Sequence, residues 1–457
     1  MKQKRIIVLG AGESGTGAAL LAKAKGYDVF VSDFGAIKNN YTEQLLTAEI
    51  PFEEKQHTES KILNADLVIK SPGIPYTAPI IVKLQEKGIK VIDELEFAYR
   101  FTEGKIIAIT GTNGKTTTTL LTYHLLKEAG LNVGLGGNVG KSMAAQLIDK
   151  DYEWWVLEVS SFQIDGFKDF KPDVAVLLNI TPDHLDRYDK NLANYAHAKF
   201  RLFMNMDKSD HIIINGQDSI IEEFKKEEVL NAPEIRVATE QLARADSYVT
   251  DEEIVLKYLG KELKFELSLL SIKGKHNQIN AMASIFAATL AGLKASTIKD
   301  SLPKFKNAQH RMELIASIHG VDFINDSKAT NVDAVYYALE SFSRPVIWIV
   351  GGVDKGNDYS KLNAVSSSVK GVICLGKDNQ KIKDFYKDQF AIIEETQSMD
   401  EAVRMGYKLA KDREVVLLSP ACASFDLFKN YEDRGNQFRM AVQLLEREVA
   451  LKSMHQA

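Results

Sequence analysis

Short apolar runs, each closed by glycines or polar residues and followed by a stretch of helical spacing, recur along the whole chain. Ile6-Ile7-Val8-Leu9, Ile106-Ile107-Ala108-Ile109, Val174-Ala175-Val176-Leu177-Leu178 and Val415-Val416-Leu417-Leu418 are of this kind. Strands alternating with helices predict an α/β chain of parallel sheets flanked by helices. Three blocks emerge. The first has strands over 6–9, 28–33, 66–70 and 90–93, a helix over 16–25, and an end near Phe97. The second opens with a strand over 105–110 and a helix over 118–129. Strands over 154–159 and 174–178, an amphipathic helix around 195–203 and an alanine-rich helix over 274–293 follow. Residues 219–270 predict short, partly antiparallel strands. The third block starts near Pro303, with strands over 321–324, 346–350, 372–375, 391–393 and 415–418. Its last helix, 438–452, carries Phe438, Met440, Ala441, Leu444 and Leu445 at helical spacing and is expected to dock on that block.

Length and composition narrow the picture. A chain of 457 residues is too long for one core. Its net charge of −5, with basic residues dispersed, argues against a general nucleic-acid or anionic-membrane partner. Cys374 and Cys422 are far apart, form no metal-type spacing, and read as free thiols of a reducing compartment. No apolar run is long enough for a signal peptide or a membrane span, so cytoplasm is the expected location.

The run Gly111-Thr112-Asn113-Gly114-Lys115-Thr116-Thr117 sits between the strand and the helix that open the second block. Glycines let backbone N–H groups converge on an anion, a helix N-terminus adds positive potential, and a lysine reaches the terminal phosphates. A hydroxyl after the lysine is the usual Mg²⁺ ligand. ATP binding and phosphoryl chemistry follow as the expectation. The loop is a shortened P-loop, with Ile109 where a further glycine is common. Glu158 and the Asn179–Asp186 run also end strands, at the sheet edge where α/β proteins bind ligands. Glu158 is therefore favoured as a metal ligand. For His184 a ligand role and a structural one are evenly balanced, and Lys199 alone reads as a solvated lysine. Asn277 and Asn280 share a helix face, which suits an adenine edge and equally suits capping.

Gly10-Ala11-Gly12-Glu13-Ser14-Gly15, with Asp33 ending the next strand, has the form of a Rossmann-like site. In the third block, strand ends lead into Asp326-Ser327-Lys328-Ala329-Thr330, Gly351-Gly352-Val353-Asp354-Lys355 and Ser419-Pro420-Ala421-Cys422-Ala423-Ser424. Together they suit a small, doubly anionic substrate.

Taken in order, these runs resemble the Mur ligase family of peptidoglycan synthesis across essentially the whole chain. The most specific are the P-loop run, Glu158-Val159-Ser160-Ser161-Phe162-Gln163, the run from Asn179 to Asp186, and the run from Ser419 to Phe438. The last, with Ser71-Pro72-Gly73-Ile74, points to the D-glutamate-adding branch. The resemblance implies three domains: 1–97 for the UDP end of the substrate, 98–302 for ATP and 303–457 for the amino acid. It implies that Ser14, Gly15, Thr16, Asp33, Ser71, Gly73 and Asn138 contact the UDP substrate. Asn277, Asn280, Arg311 and Asp326 join the P-loop as ATP contacts. Two Mg²⁺ ions are implied, one on Thr116 and Glu158, the other on His184 and a CO₂-derived carbamate of Lys199. Lys115, His184, Lys199 and Asn138 are then the catalytic set. Lys328, Thr330, Lys355, Ser424, Phe425 and Tyr431 line the D-glutamate pocket; Phe425 and Tyr431 stand where leucine and phenylalanine are common. A cytoplasmic monomer acting on small molecules, without nucleic acid, is implied. The chemistry implied is ligation through an acyl phosphate. A folylpolyglutamate-synthase-like ligase would leave the first block unused, and an NAD-linked oxidoreductase or a nucleotide-binding regulator would leave the P-loop or its turnover unexplained.

Overall fold

A computed structural model describes residues 4–354 and 356–456, with side chains to 451. Lys355 lies outside the described residues. The chain divides into two compact units, 1–271 with 279–305, and 272–278 with 306–457.

The first unit holds two sheets. One is fully parallel: β1 (Arg5–Leu9), β2 (Asp28–Ser32), β3 (Phe52–Glu53), β4 (Leu67–Lys70) and β5 (Val91–Ile92), in the order β3-β2-β1-β4-β5. β1 lies between β2 and β4, so the glycine loop after it is flanked by the loops carrying Asp33 and Ser71. The other has nine strands: β6 (Lys105–Thr110), β7 (Val133–Gly137), β8 (Trp154–Glu158), β9 (Val174–Leu177), β10 (His211–Asn215), β11 (Glu234–Val237), β12 (Ser247–Val249), β13 (Glu253–Tyr258) and β14 (Lys261–Glu266). Their order is β14-β13-β12-β11-β10-β9-β6-β8-β7. The strands from β7 to β12 pair in parallel, and β12-β13-β14 form an antiparallel meander. β6, β8 and β9 are buried almost throughout, which is what helices on both faces require.

The second unit has one six-stranded sheet: β15 (Glu313–Ile318), β16 (Val321–Asn325), β17 (Val346–Val350), β18 (Val369–Leu375), β19 (Ile393–Thr396) and β20 (Val415–Leu418). The order is β15-β16-β20-β17-β18-β19, with only β15 antiparallel. The three candidate loops follow β16, β20 and β17, which are adjacent in the sheet.

Several expectations needed adjustment. The P-loop helix is Lys115–Glu128 and starts three residues early, because Gly114 in the left-handed region (φ 85°) already turns the chain into it. β19 falls later than 391–393. The last helix is Tyr431–Gln456; Phe438, Ala441 and Leu445 enter the core with Val442, but Met440 and Leu444 are exposed. β7 and β15 were not foreseen: the glycines of β7 and the polar ends of β15 disguise them.

Candidate active site

The order β9-β6-β8-β7 sets the P-loop, Glu158 and the loops after β7 and β9 side by side at one carboxyl edge. The P-loop is held from the β9 side. Asn179 Oδ1 accepts from the Thr112 and Asn113 backbone N–H groups at 3.0 and 2.8 Å, and its Nδ2 donates to the Asn113 carbonyl at 3.0 Å. The Thr112 hydroxyl donates to the Thr181 carbonyl and lies 3.2 Å from the Tyr195 hydroxyl. Glycine is demanded at Gly114, where an added Cβ would press on the Asn280 amide at a positive φ.

Two lysines converge on one oxygen. Lys115 Nζ donates to the carbonyls of Gly111 (2.8 Å) and Thr112 (2.7 Å). Lys199 Nζ, from the helix Leu192–Phe200, donates to the same Gly111 carbonyl at 2.9 Å and lies over the Tyr195 ring. Lys199 is fully buried, so the solvated-lysine reading of its spacing does not describe it. Burial, and then the nearby Lys115 charge, hold its ammonium well below the usual lysine range. Lys199 is thus poised as a neutral, nucleophilic amine.

Glu158 ends β8 and is buried. Its Oε1 accepts from Asn138 Nδ2 at 2.7 Å, and the Asn138 N–H donates to the Glu158 carbonyl at 2.8 Å. This close approach requires Gly137, where a Cβ would run into that carbonyl. Thr116 and Thr117 lie in the first turn of the P-loop helix, both buried. His184 sits in the left-handed region (φ 52°), with its ring 5.2 Å from that of Phe162 and 3.7 Å from the Asp183 carboxylate. Arg187, three residues on, donates to the carbonyls of Gly73 (3.1 Å) and Pro72 (3.4 Å) and covers the Phe162 ring. Nothing in its spacing had singled Arg187 out.

In the first sheet, the Ser71 hydroxyl donates to the Gly10 carbonyl at 3.3 Å. Both carboxylate oxygens of Asp33 clasp backbone, Oδ2 from Ala11 N–H and Oδ1 from Gly35 N–H, each at 2.7 Å. Gly15 is buried where any Cβ would strike the Gly10 carbonyl. Thr16 is buried, its hydroxyl turned to the Ala11 carbonyl, while Ser14 is half-buried and Gly73 exposed.

In the second unit, Asp326 accepts from the Ser419 hydroxyl (2.9 Å) and the Met312 N–H (3.2 Å). Burial pushes its carboxyl up to about 7. Lys328 lies 5.4 Å from the Tyr431 ring centre, Ser424 is buried, Thr330 is half-buried and Phe425 is 70 % exposed. The loops are locked together by Arg434, buried in the last helix. Its Nε donates to Ser327 Oγ (3.0 Å), its Nη2 to the Ser327 carbonyl (2.9 Å), and its Nη1 to the carbonyls of Cys422 (3.1 Å) and Gly351 (3.4 Å). Sequence reasoning missed Arg434; an arginine opening a terminal helix carries no spacing signal. Asn277 donates to the Lys273 carbonyl at 2.8 Å and belongs, with Arg311, to this unit, whereas Asn280 belongs to the first.

Residues 4–93, 109–288 and 310–422 match three family models: the Mur ligase MurD-like N-terminal domain, the Mur ligase middle domain, and the Mur ligase glutamate ligase domain. Proteins named UDP-N-acetylmuramoylalanine--D-glutamate ligase are similar over nearly their full length. That of Cytophaga hutchinsonii is 52% identical over 97% of this chain and 99% of its own. That of Christiangramia forsetii is 49% identical over 97% and 100%. The fold is shared with a pseudomurein peptide ligase type C from Methanothermus fervidus (TM-score 0.63, 19% identity, 97% and 100% covered). It is shared also with the UDP-N-acetylmuramate-alanine ligase of Thermotoga maritima (TM-score 0.61, 19% identity, 96% and 99% covered). With its three domains matched in order around a P-loop edge built as described, this chain belongs to the Mur ligase family.

Proposed function

We propose that the chain is an ATP-dependent ligase that adds D-glutamate to UDP-N-acetylmuramoyl-L-alanine in peptidoglycan synthesis. The observation that carries this is likeness at 48–52% identity, over nearly the whole length, to relatives bearing that activity in their names. In this reading the domains are 1–97, 98–302 and 303–457, and the enzyme works as a cytoplasmic monomer without nucleic acid. Among the described residues no helix is long and apolar enough to cross a membrane.

The chemistry fits the residues. A substrate carboxylate oxygen attacks the ATP γ-phosphorus, the bond to the β–γ bridging oxygen breaks, and ADP leaves. The D-glutamate amine attacks the acyl-phosphate carbonyl; the tetrahedral adduct loses a proton, expels phosphate and becomes the amide. Lys115 leaves its loop carbonyls for the transferring phosphoryl group, where a preorganised cation stabilises developing charge. Thr116, Glu158 and His184 are oxygen and imidazole donors of the kind Mg²⁺ accepts. Thr116 and Glu158 would hold one ion, His184 and a Lys199 carbamate a second, neutralising phosphate charge. The neutral Lys199 amine supports carbamate formation, since only that form attacks CO₂. Asn138 steadies Glu158 and is free on its other side to meet substrate. The loops of the second unit take D-glutamate through Lys328, Thr330, Lys355, Ser424, Phe425 and Tyr431. Asn277, Asn280, Arg311 and Asp326 serve ATP. Phosphate release from ATP that requires both UDP-N-acetylmuramoyl-L-alanine and D-glutamate tests the reading; release with either alone, or none, overturns it.

A further inference from the structure

Phe34 is the most exposed aromatic side chain among the described residues, at 75 %, and it follows β2 directly at the ligand-binding edge of the first sheet. A single exposed phenylalanine means little by itself. Here the surroundings are built. Asp33 before it and Gly35 after it are fixed by the carboxylate clasp, and the Gly35 carbonyl accepts from the Lys55 N–H at 3.0 Å. The ring of His57 stands 5.7 Å from that of Phe34, tilted by 42°.

The state of His57 can be read from its neighbours. His57 Nδ1 lies 2.7 Å from Ser32 Oγ. Ser32 has one proton to give, and the buried Glu53 carboxylate accepts it at 2.9 Å. Burial, which would raise the Glu53 carboxyl, is outweighed by hydrogen bonds from Thr58, Ser32 and Lys61, so it stays ionised and takes that proton. His57 Nδ1 must then be the donor to Ser32. Burial also disfavours the charged imidazole. The neutral ring therefore carries its hydrogen on Nδ1 and presents Nε2 as an acceptor.

An aromatic platform beside a fixed acceptor reads a flat ring that carries an N–H on its edge. Uracil has such a group at N3; cytosine has a lone pair there. We propose that Phe34 and His57 read the base of the UDP-bearing substrate, Phe34 by stacking and His57 Nε2 by accepting the imide N–H. Asp33, whose oxygens are engaged with backbone, then acts as the positioning residue that holds Phe34 at the edge. This rests on the function proposed above and adds the residues that choose uridine.

The test separates the two. In the ligase assay, Phe34→Ala is expected to raise KM for UDP-N-acetylmuramoyl-L-alanine about tenfold, the scale of one lost base stack. kcat and the KM values for ATP and D-glutamate should hold, and Phe34→Trp should restore the low KM. UDP should inhibit the wild-type enzyme more strongly than CDP, and His57→Ala should close that gap. An unchanged KM in Phe34→Ala, or an unchanged UDP-to-CDP ratio in His57→Ala, overturns the base-reading assignment and leaves the ligase reading standing. A wild-type enzyme that does not turn over the UDP substrate overturns both.

Discussion

The first unit contains two strand–glycine turn–helix segments written in nearly the same grammar. One runs from β1 through Gly10 to the helix Glu13–Ala24; the other runs from β6 through Gly111 and Gly114 to the helix Lys115–Glu128. Both put glycine at positive φ after the strand, and both lie between two other strand ends. Their helices open differently. The P-loop helix begins with a lysine and three buried threonines, whereas the N-terminal helix begins with Glu13. A carboxylate in the first turn competes with a phosphate for the same N–H groups and helix dipole. The glycines alone therefore give only a close approach of backbone; the residues that open the helix decide whether the turn is a phosphoryl-transfer site or part of a binding edge.

The sharpest way to break this comparison is to remove the cation. Lys115→Ala should lower kcat by about a thousandfold or more, as loss of a preorganised charge at a developing anion does. Its thermal midpoint should stay close to wild type, because the lysine bonds only to loop carbonyls of its own turn. Near-normal ligation by this variant would erase the distinction between the two turns.

Lys199 comes next. Lys199→Ala and Lys199→Arg should both be nearly inactive, since arginine keeps its charge and cannot form a carbamate. Wild-type protein equilibrated with ¹³CO₂ should show a carbamate carbon resonance that Lys199→Arg lacks. Substantial activity in Lys199→Arg would remove the carbamate from the mechanism.

The N-terminal turn should respond in a different currency. Asp33→Ala releases the Ala11 and Gly35 N–H groups, and should raise KM for the UDP substrate several-fold while leaving kcat much less affected, the pattern of lost ground-state binding. A fall in kcat without a change in KM would mean that this turn, too, takes part in the chemistry.

How far all this was legible in the sequence follows from what each feature depends on. The P-loop, Glu158 and the Asn179 run were readable because their strands are continuous apolar runs and their chemistry lies within a few residues of a strand end. β6 and the strands over 346–350 and 415–418 fell where their patterns placed them. Lys199 was not readable by spacing, because its burial depends on Gly111, 88 residues away. Arg187 and Arg434 were invisible for the same reason: each matters through carbonyls on distant loops, and carbonyls have no signature in a sequence. Phe34 escaped notice because attention fell on its acidic neighbour.

The smallest expected effect concerns Glu94, which meets the first turn of the N-terminal helix. Glu94 is buried; its Oε1 accepts from the Ser142 hydroxyl (2.8 Å) and the Ala144 N–H (2.7 Å), while Glu13 accepts from the Ser142 N–H (3.3 Å). Burial chiefly, with a repulsive contribution from Glu13, pushes the Glu94 carboxyl up to about 7 from an ordinary 4.5. In the unfolded chain it ionises near its ordinary value. Between these values the folded state binds the extra proton, so the stability this group contributes is greatest at low pH. It falls as pH rises from about 4.5 to about 7 and is level above that. The change is on the order of 1–3 kcal/mol. Glu94→Gln keeps the acceptor and removes the titration, so the thermal midpoint of this variant should drop less than that of wild type between pH 5 and about 7.5. Glu13→Gln should shift the wild-type transition to lower pH by easing the repulsion. A wild-type midpoint that rises across this window in step with that of Glu94→Gln would show that Glu94 is ionised in the fold. The acid opening the N-terminal helix would then set no local charge balance, and the contrast with Lys115 would rest on the lysine alone.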